Sequence, residues 1–203
     1  ILNVSEFSDK QANVALGYYL QELLNDRKAA SNAKSAKSKS KKSYMFNSPI
    51  FVIIEEAHVF IPKGEDARAK YWATKIAREG RKFGLGLCVV SQRPRNIEPS
   101  ILSQMGSLAV MKMVQEDDQH QIASASESIS RDLIAQLTSL NVGDAVLVGQ
   151  WVNLPAIIHI DEMKGKVIGS DQNAVDQWTI AKKFENENKA QAQGTVQKDL
   201  LLD

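Results

Sequence analysis

One stretch, Pro49 to Pro62 (PIFVIIEEAHVFIP), restricts this chain more than any other. Ile50 to Ile54 is an unbroken apolar run rich in β-branched residues, short enough for a strand buried on both faces. It ends in two adjacent carboxylates, Glu55 and Glu56, followed by Ala57 and His58. Strand residues alternate faces, so two acids at a strand tip do not share one environment. In open parallel sheets, ligands bind at the carboxyl ends of the strands. One acid can then face a hydrated metal while its neighbour faces a water, as phosphoryl-transfer sites require. The plainer alternative is a strand ending in solvated acids.

The sequence on either side favours an α/β domain. Ile1 to Phe7 alternates apolar and polar residues as a strand does, and Ser8-Asp9 starts a helix whose apolar face is Ala12, Leu16, Tyr19, Leu20, Leu23 and Leu24. After the acids, Gly64-Glu65-Asp66 precede a helix with Ala69, Trp72, Ala73, Ile76 and Phe83 on one face, stopped at Gly84. Leu85 to Val90 is a second buried strand, ending in Ser91-Gln92-Arg93-Pro94. A short helix from Pro99, a strand over Leu108 to Val114, helices over 117–126 and 130–137, and strands over 145–148 and 154–160 follow. Strands alternating with helices through the first 115 residues predict a mostly parallel sheet.

At 203 residues, 43% hydrophobic and 24% charged, the chain has the make-up of one globular domain with a tail. The expected division is residues 1–163 for the domain and 164–203 for a tail made of a helix over 178–187 and a polar extension. Within the domain, 28–43 reads as a flexible Lys/Ser-rich loop, since Ser31 to Ser43 holds five Lys, five Ser and no large apolar group. A net charge of +1 provides no global field, so any nucleic-acid affinity must come from local clusters. Cys88, the only cysteine, lies in an apolar run and excludes an intrachain disulfide; this suits a reducing cytoplasm. No apolar run approaches the roughly 18 residues of a membrane span. The chain opens Ile-Leu-Asn-Val, without a Met or signal peptide, and reads as a piece of something longer.

Glu55-Glu56 at one strand tip, Gln92 at the next, and Arg78 and Arg81 on the connecting helix are expected to converge on one edge. Together they resemble the parts of an NTP hydrolase: an acid for the metal, an acid for the water, a polar sensor of the γ-phosphate and an arginine countering transition-state charge. Singly, each has a plain reading, the arginines as surface charges and Gln92 as a turn cap. His58 reads as a supporting or packing histidine, because no His or Cys lies nearby at metal-ligand spacing. No G-x-x-x-x-G-K-[ST] phosphate loop occurs. The chain is therefore expected to be either a degenerate ATPase or the part of one that lacks its first strand.

The blocks IFVIIEEAHVFIP, IAREGRKFGLGLCVVSQRP, ILSQMGSLAVMKM and LNVGDAVLVGQWVNLPAIIHI resemble the C-terminal half of the HerA helicase/translocase family, in order and spacing, from residue 1 to about Glu162. The wider FtsK–HerA group of DNA motors shares a pattern that stands here as Gly80-Arg81-Lys82-Phe83-Gly84 and Ser91-Gln92-Arg93-Pro94. The resemblance implies a RecA-like ASCE P-loop NTPase core, incomplete because the Walker A part is missing. It implies ATP with Mg²⁺, a homo-hexamer around double-stranded DNA, and DNA-end processing in double-strand break repair with a NurA-type nuclease. Glu55 stands where the Walker B metal-facing acid does, Glu56 where the catalytic base does, and Gln92 where the sensor does. Arg81 matches the finger arginine offered to a neighbouring subunit, and Arg78 lies beside the nucleotide. The family's usual first acid is Asp; Glu55 is longer, so its contact with Mg²⁺ is expected to run through water. Alone, the chain should hydrolyse ATP poorly and depend on the upstream Walker A half.

Two other readings follow from the same residues: a non-catalytic oligomerisation or DNA-binding module that keeps the fold, and a nuclease using Glu55 and Glu56, for which more acids would be needed. For a motor indifferent to sequence, phosphate contacts from Lys and Arg on loops are expected. Lys63 and Arg68, just after the acid strand, are the candidates for coupling; the arm from Lys34 to Lys42 is the candidate for weak tethering.

Overall fold

Ser8 opens the first helix with half of a capping box, its N–H donating to the Gln11 side chain at 3.1 Å. Helix α1 then runs from Asp9 to Ser35. This computed structural model describes residues 1–35, 45–126, 128–164, 177–180 and 182–184. The expected strand over Ile1–Phe7 does not form: Ile1, Leu2 and Phe7 are exposed, and the segment closes a turn with the Phe7 N–H donating to Val4 O. Alternation without a neighbouring strand leaves ladder groups unpaired, so pattern alone does not hold a strand there. The first residues of the expected Lys/Ser-rich loop are helical instead. Residues 28–35 belong to α1, where Ala29, Ala30 and Ala33 favour helix and Ala30 is buried. The rest of that stretch, 36–43, lies outside the described residues.

Strand β1 (Ile50–Ile54) is followed by the short helix α2 (Ala57–Phe60) and by α3 (Arg68–Glu79). A 3-10 turn over Gly80–Phe83 leads into β2 (Leu85–Val89), which pairs with β1 in parallel, Ile50 beside Leu85 and Ile54 beside Val89. One face of this pair packs on α1 and α3: Leu20, Leu24, Ile54, Ile61, Ile76, Leu85, Ile97 and Ile101 form its buried core. The other face is open. Phe51 is 66% exposed and Ile53 61%, so β1 is buried on one face and not on both, as the apolar run had suggested. An apolar run records what a strand can bury, and among the described residues only one layer is there to bury it. Cys88 shares that second face with Phe51 and Ile53 by register and is half-buried, and burial pushes its thiol pKa up.

After α4 (Pro99–Leu102), strands β3 (Ser107–Met111), β4 (Asp144–Gly149) and β5 (Ala156–His159) form an antiparallel sheet in the order β3-β4-β5. Helices α5 (Glu116–Ala125) and α6 (Arg131–Gln136) supply Ile122 and its neighbours to a second core with Val110, Leu137, Val146 and Val148. Among the described residues the parallel ladder is thus confined to β1 and β2. The chain divides into two units, Ile1–Asp161 and Glu162–Asp203, and every element named so far lies in the first. In the second, residues 177–180 and 182–184 are helical, and the polar extension expected beyond them lies outside the described residues. No described helix is long and apolar enough to cross a membrane.

Candidate functional site

The parallel pairing places the end of β1 beside the end of β2, and backbone hydrogen bonds carry the pairing past both strands. The Val90 N–H donates to Ile54 O and the Ala57 N–H to Val90 O, each at 2.9 Å. Glu55 and Glu56 therefore turn out of the sheet next to Ser91 and Gln92, and Glu55, Glu56 and Gln92 are all exposed. Glu56 is the only non-glycine with positive φ among the described residues, at φ 46 and ψ 44. A left-handed backbone costs a side-chain-bearing residue about 1–2 kcal/mol. Such strain collects at sites of function when the surroundings hold it in place.

What holds it is visible. Glu56 O accepts from the Val59 N–H, and the Glu56 carboxylate meets His58, with Oε2 3.3 Å from Nδ1. The same His58 nitrogen lies 3.0 Å from Ser91 Oγ, and that oxygen accepts from the Arg93 N–H at 3.0 Å. Beyond the tips the two loops stay joined. Lys63 N–H donates to Asn96 O, Glu98 N–H to Ile61 O, and Pro62 bridges to Ile97. Lys63 and Arg95 line a cleft of about 430 Å³ with Asn96, Asp117 and His120.

Arg78 and Arg81 do not join this edge. Helix α3 carries the chain back along the sheet, so both arginines lie at the end where β2 begins, marked by the Ile50 N–H donating to Gly84 O. A five-residue strand spans about 17 Å, so the expected convergence on one edge does not occur within the chain. Arg78 instead lines a groove of about 790 Å³ along α3, with Tyr71, Thr74, Lys75 and Glu98. Arg81 is exposed on the 3-10 turn, and the turn explains the glycines around it. A Cβ on Gly80 would stand 2.6 Å from Leu85 O, and Gly84 caps the turn at φ 68. Arg27, buried at 5%, fixes the turn from below: Nε and Nη2 donate to Phe83 O at 2.9 and 2.6 Å, and Nη1 to Phe46 O at 3.0 Å. Asp26 receives the Met45 and Phe46 N–H groups, and Lys28 pairs with Glu79 at 2.9 Å.

Arg68, at the start of α3, donates to Gln21 Oε1 at 2.7 Å and is laid against α1; Arg68 and Lys63 are both exposed. Sequence reading passed over Arg27, whose partners are all carbonyls from distant segments. In the sequence Ser91 stands out only as part of a polar strand tip, and His58 only as a supporting or packing histidine. Among the described residues no group of three or more His, Cys, Asp or Glu could hold a metal by itself. Mg²⁺ with a nucleotide needs less, because one or two carboxylates suffice when phosphates and waters fill the remaining positions. The exposed Glu55-Glu56 tip fits that requirement.

This is a mixed α/β fold. It is similar to the crystal structure of B204, the DNA-packaging ATPase of Sulfolobus turreted icosahedral virus, with a TM-score of 0.50 and 16% identity over 71% of this chain and 62% of that one. The chain is similar to the HerA helicases: it is 39% identical to the DNA double-strand break repair helicase HerA of Saccharolobus solfataricus over 189 residues, 93% of this chain and 36% of that protein. It is 48% identical to a probable HerA of Methanocaldococcus jannaschii over 130 residues, 64% of this chain and 26% of that protein. With the HerA of Pyrococcus furiosus the identity is 35% over 208 residues, 90% of this chain and 38% of that protein. The chain thus spans about a third of the length of the curated relatives it matches. No family model matches it.

Proposed function

We propose that this chain is part of an ATP-driven motor that moves along double-stranded DNA, and that Glu56 is its catalytic base. The observation that carries this is the strand tip itself. Two exposed carboxylates leave β1 beside the Ser91-Gln92 tip of β2, and the second is held in a strained backbone by its neighbours. Glu56 takes a proton from the attacking water, Gln92 orients that water or the phosphate it attacks, and Glu55 faces the metal. ATP with Mg²⁺ supplies the leaving group and neutralises phosphate charge. The phosphate loop comes from an upstream segment of the same protein, which also covers the open face at Phe51 and Ile53.

Arg81 serves a different nucleotide, that of the next subunit. A strand length separates it from the acids of its own chain, while the glycine-bounded turn and Arg27 present it rigidly at the surface. That favours a ring, with a homo-hexamer around the duplex and a NurA-type nuclease as the partner in end processing. Arg78 belongs to the same interface, through the groove along α3. Lys63 contacts DNA phosphates, with Arg68 assisting if it releases Gln21. The loop carrying Lys63 is hydrogen-bonded to the loop that follows Gln92, which is a direct mechanical path from nucleotide to DNA.

The test uses the full-length protein. Glu56→Gln should keep nucleotide binding and lose most hydrolysis, about 10²-fold or more, since an amide cannot accept the proton. Near-normal turnover would remove Glu56 from the role. Mixing Arg81→Ala with Glu56→Gln subunits should restore activity at interfaces where one intact finger meets one intact base. No rescue in rings shown to be mixed would place Arg81 elsewhere.

A further inference from the structure

We infer that His58 is a positioning residue that ties the Glu56 carboxylate to the Ser91 hydroxyl, so that the acid at one strand tip is oriented by the tip of the next. The inference rests on the reading of Glu56 as the base. Glu56 has an exposed side chain, 54% accessible, on a backbone held away from its preferred conformation. Glu56 is the N-cap of the four-residue α2, but its side chain makes no capping hydrogen bond to the helix backbone, so the backbone does not fix the carboxylate. His58 is different, with only 19% of its side chain exposed, and it reaches both tips from one nitrogen: 3.3 Å to Glu56 Oε2 and 3.0 Å to Ser91 Oγ.

Chemistry fixes the direction of these contacts. An ionised carboxylate has no hydrogen to give, so Nδ1 carries the proton, which it donates to Ser91 Oγ while Glu56 Oε2 lies beside the same nitrogen at ion-pair distance. Ser91 Oγ then accepts from both His58 and the Arg93 N–H, and its own hydrogen is left to donate to an acceptor such as a phosphate oxygen. A phosphate drawn to Ser91 alters the hydroxyl that His58 grips, and His58 passes the change to Glu56. The two backbone bonds joining Ile54, Val90 and Ala57 keep the tips in register while the side chains adjust.

The experiment is steady-state ATPase of the full-length protein with DNA, over a range of ATP concentrations. His58→Ala should lower kcat about 10- to 100-fold, as lost supporting partners do, with KM for ATP within about two-fold. His58→Asn, whose side-chain N–H can stand where Nδ1–H stands, should recover most of kcat. Ser91→Ala should lower kcat as well, and the double variant His58→Ala/Ser91→Ala should be no worse than the weaker single. In a Glu56→Gln background His58→Ala should add nothing. An unchanged kcat in His58→Ala overturns the proposal, as does a His58→Asn that folds but is as slow as His58→Ala. The two readings fail separately: hydrolysis by Glu56→Gln overturns the base assignment, whereas an inactive Glu56→Gln beside a normal His58→Ala overturns only the role of His58.

Discussion

Replacing Glu56 should invert the usual ranking of glycine and alanine. At φ 46 and ψ 44 an alanine bears the left-handed penalty of about 1–2 kcal/mol, whereas glycine bears almost none. Against this, glycine gains about 0.5–1 kcal/mol of extra freedom in the unfolded chain. Both substitutions remove the same carboxylate and the same contact with His58, so those losses cancel in the comparison. Glu56→Gly should therefore be more stable than Glu56→Ala by about 0.5–1 kcal/mol, a few degrees at most in melting temperature for a domain of this size. Glu55 is the control, since it is not among the residues with positive φ. There Ala should exceed Gly by about 0.5–1 kcal/mol. Urea unfolding of the four variants, followed by tryptophan fluorescence, decides the matter, since Trp72 packs against the core. If Glu56→Gly is less stable than Glu56→Ala, with a gap like that at Glu55, the strain is not there and the argument for a held base loses its footing. The opposite sign at the two neighbours would mean the protein keeps an unfavourable backbone at the residue it uses.

Other expectations follow from the supports of the Arg81 turn and from the ionised side chains. Arg27→Met keeps the apolar stem but leaves Phe83 O and Phe46 O without their donor; a loss of about 2–4 kcal/mol in urea unfolding is expected, and a loss under 0.5 kcal/mol would show the clamp idle. Gly84→Ala should cost about 1 kcal/mol or more, because φ 68 suits glycine. Glu79, Glu98 and Asp144 all have carboxyl pKa values held low: Glu79 chiefly by the hydrogen bond from Lys28, Asp144 chiefly by that from His159, and Glu98 by Lys70 and Ser100 despite burial pulling the other way. Groups depressed on folding stabilise above their unfolded values near 4.5 and 3.8, and that contribution is lost as pH falls through the lower folded values. Urea midpoints should thus hold from neutral pH to about pH 5 and decline below about pH 4; a flat profile down to pH 3 would contradict this. Lys63→Ala should flatten the salt dependence of DNA binding by about one ion's worth, while leaving basal hydrolysis unchanged.

The local parts of the fold were legible because they depend on local pattern. Apolar runs marked β1 and β2, and the helical spacing of Ala69, Ala73 and Ile76 marked α3, although the helix ends at Glu79 and Gly84 closes the 3-10 turn that follows. The Glu55-Glu56 and Ser91-Gln92 pair was legible as well, since two five-residue strands in parallel bring their carboxyl tips together. What escaped depends on contacts between distant segments. The strain at Glu56 follows from how α2 leaves the strand, the His58–Ser91 contact spans 33 positions, and Arg27 meets Phe83 across 56. No periodicity carries that information.

The misplacement of the arginines had a cause that the sequence itself contained. A helix joining two parallel strands must return the chain to the end where the first strand began, so residues after α3 cannot share an edge with the residues just before it. Arg78 stands in the last turn of that helix and Arg81 just after it, whereas Glu55 and Glu56 precede it. Within one chain, then, an arginine at Gly80–Phe83 is structurally debarred from the acids, however well their spacing imitates a single site. The strict build of the turn is hard to explain if Arg81 does nothing: a close approach at Gly80, a left-handed Gly84, and a buried Arg27 donating three hydrogen bonds. A rigid, exposed arginine a strand length from its own acids makes chemical sense when a second copy of the domain brings another pair of acids to it. The topology that defeats a single-chain site is the same topology that favours a shared one.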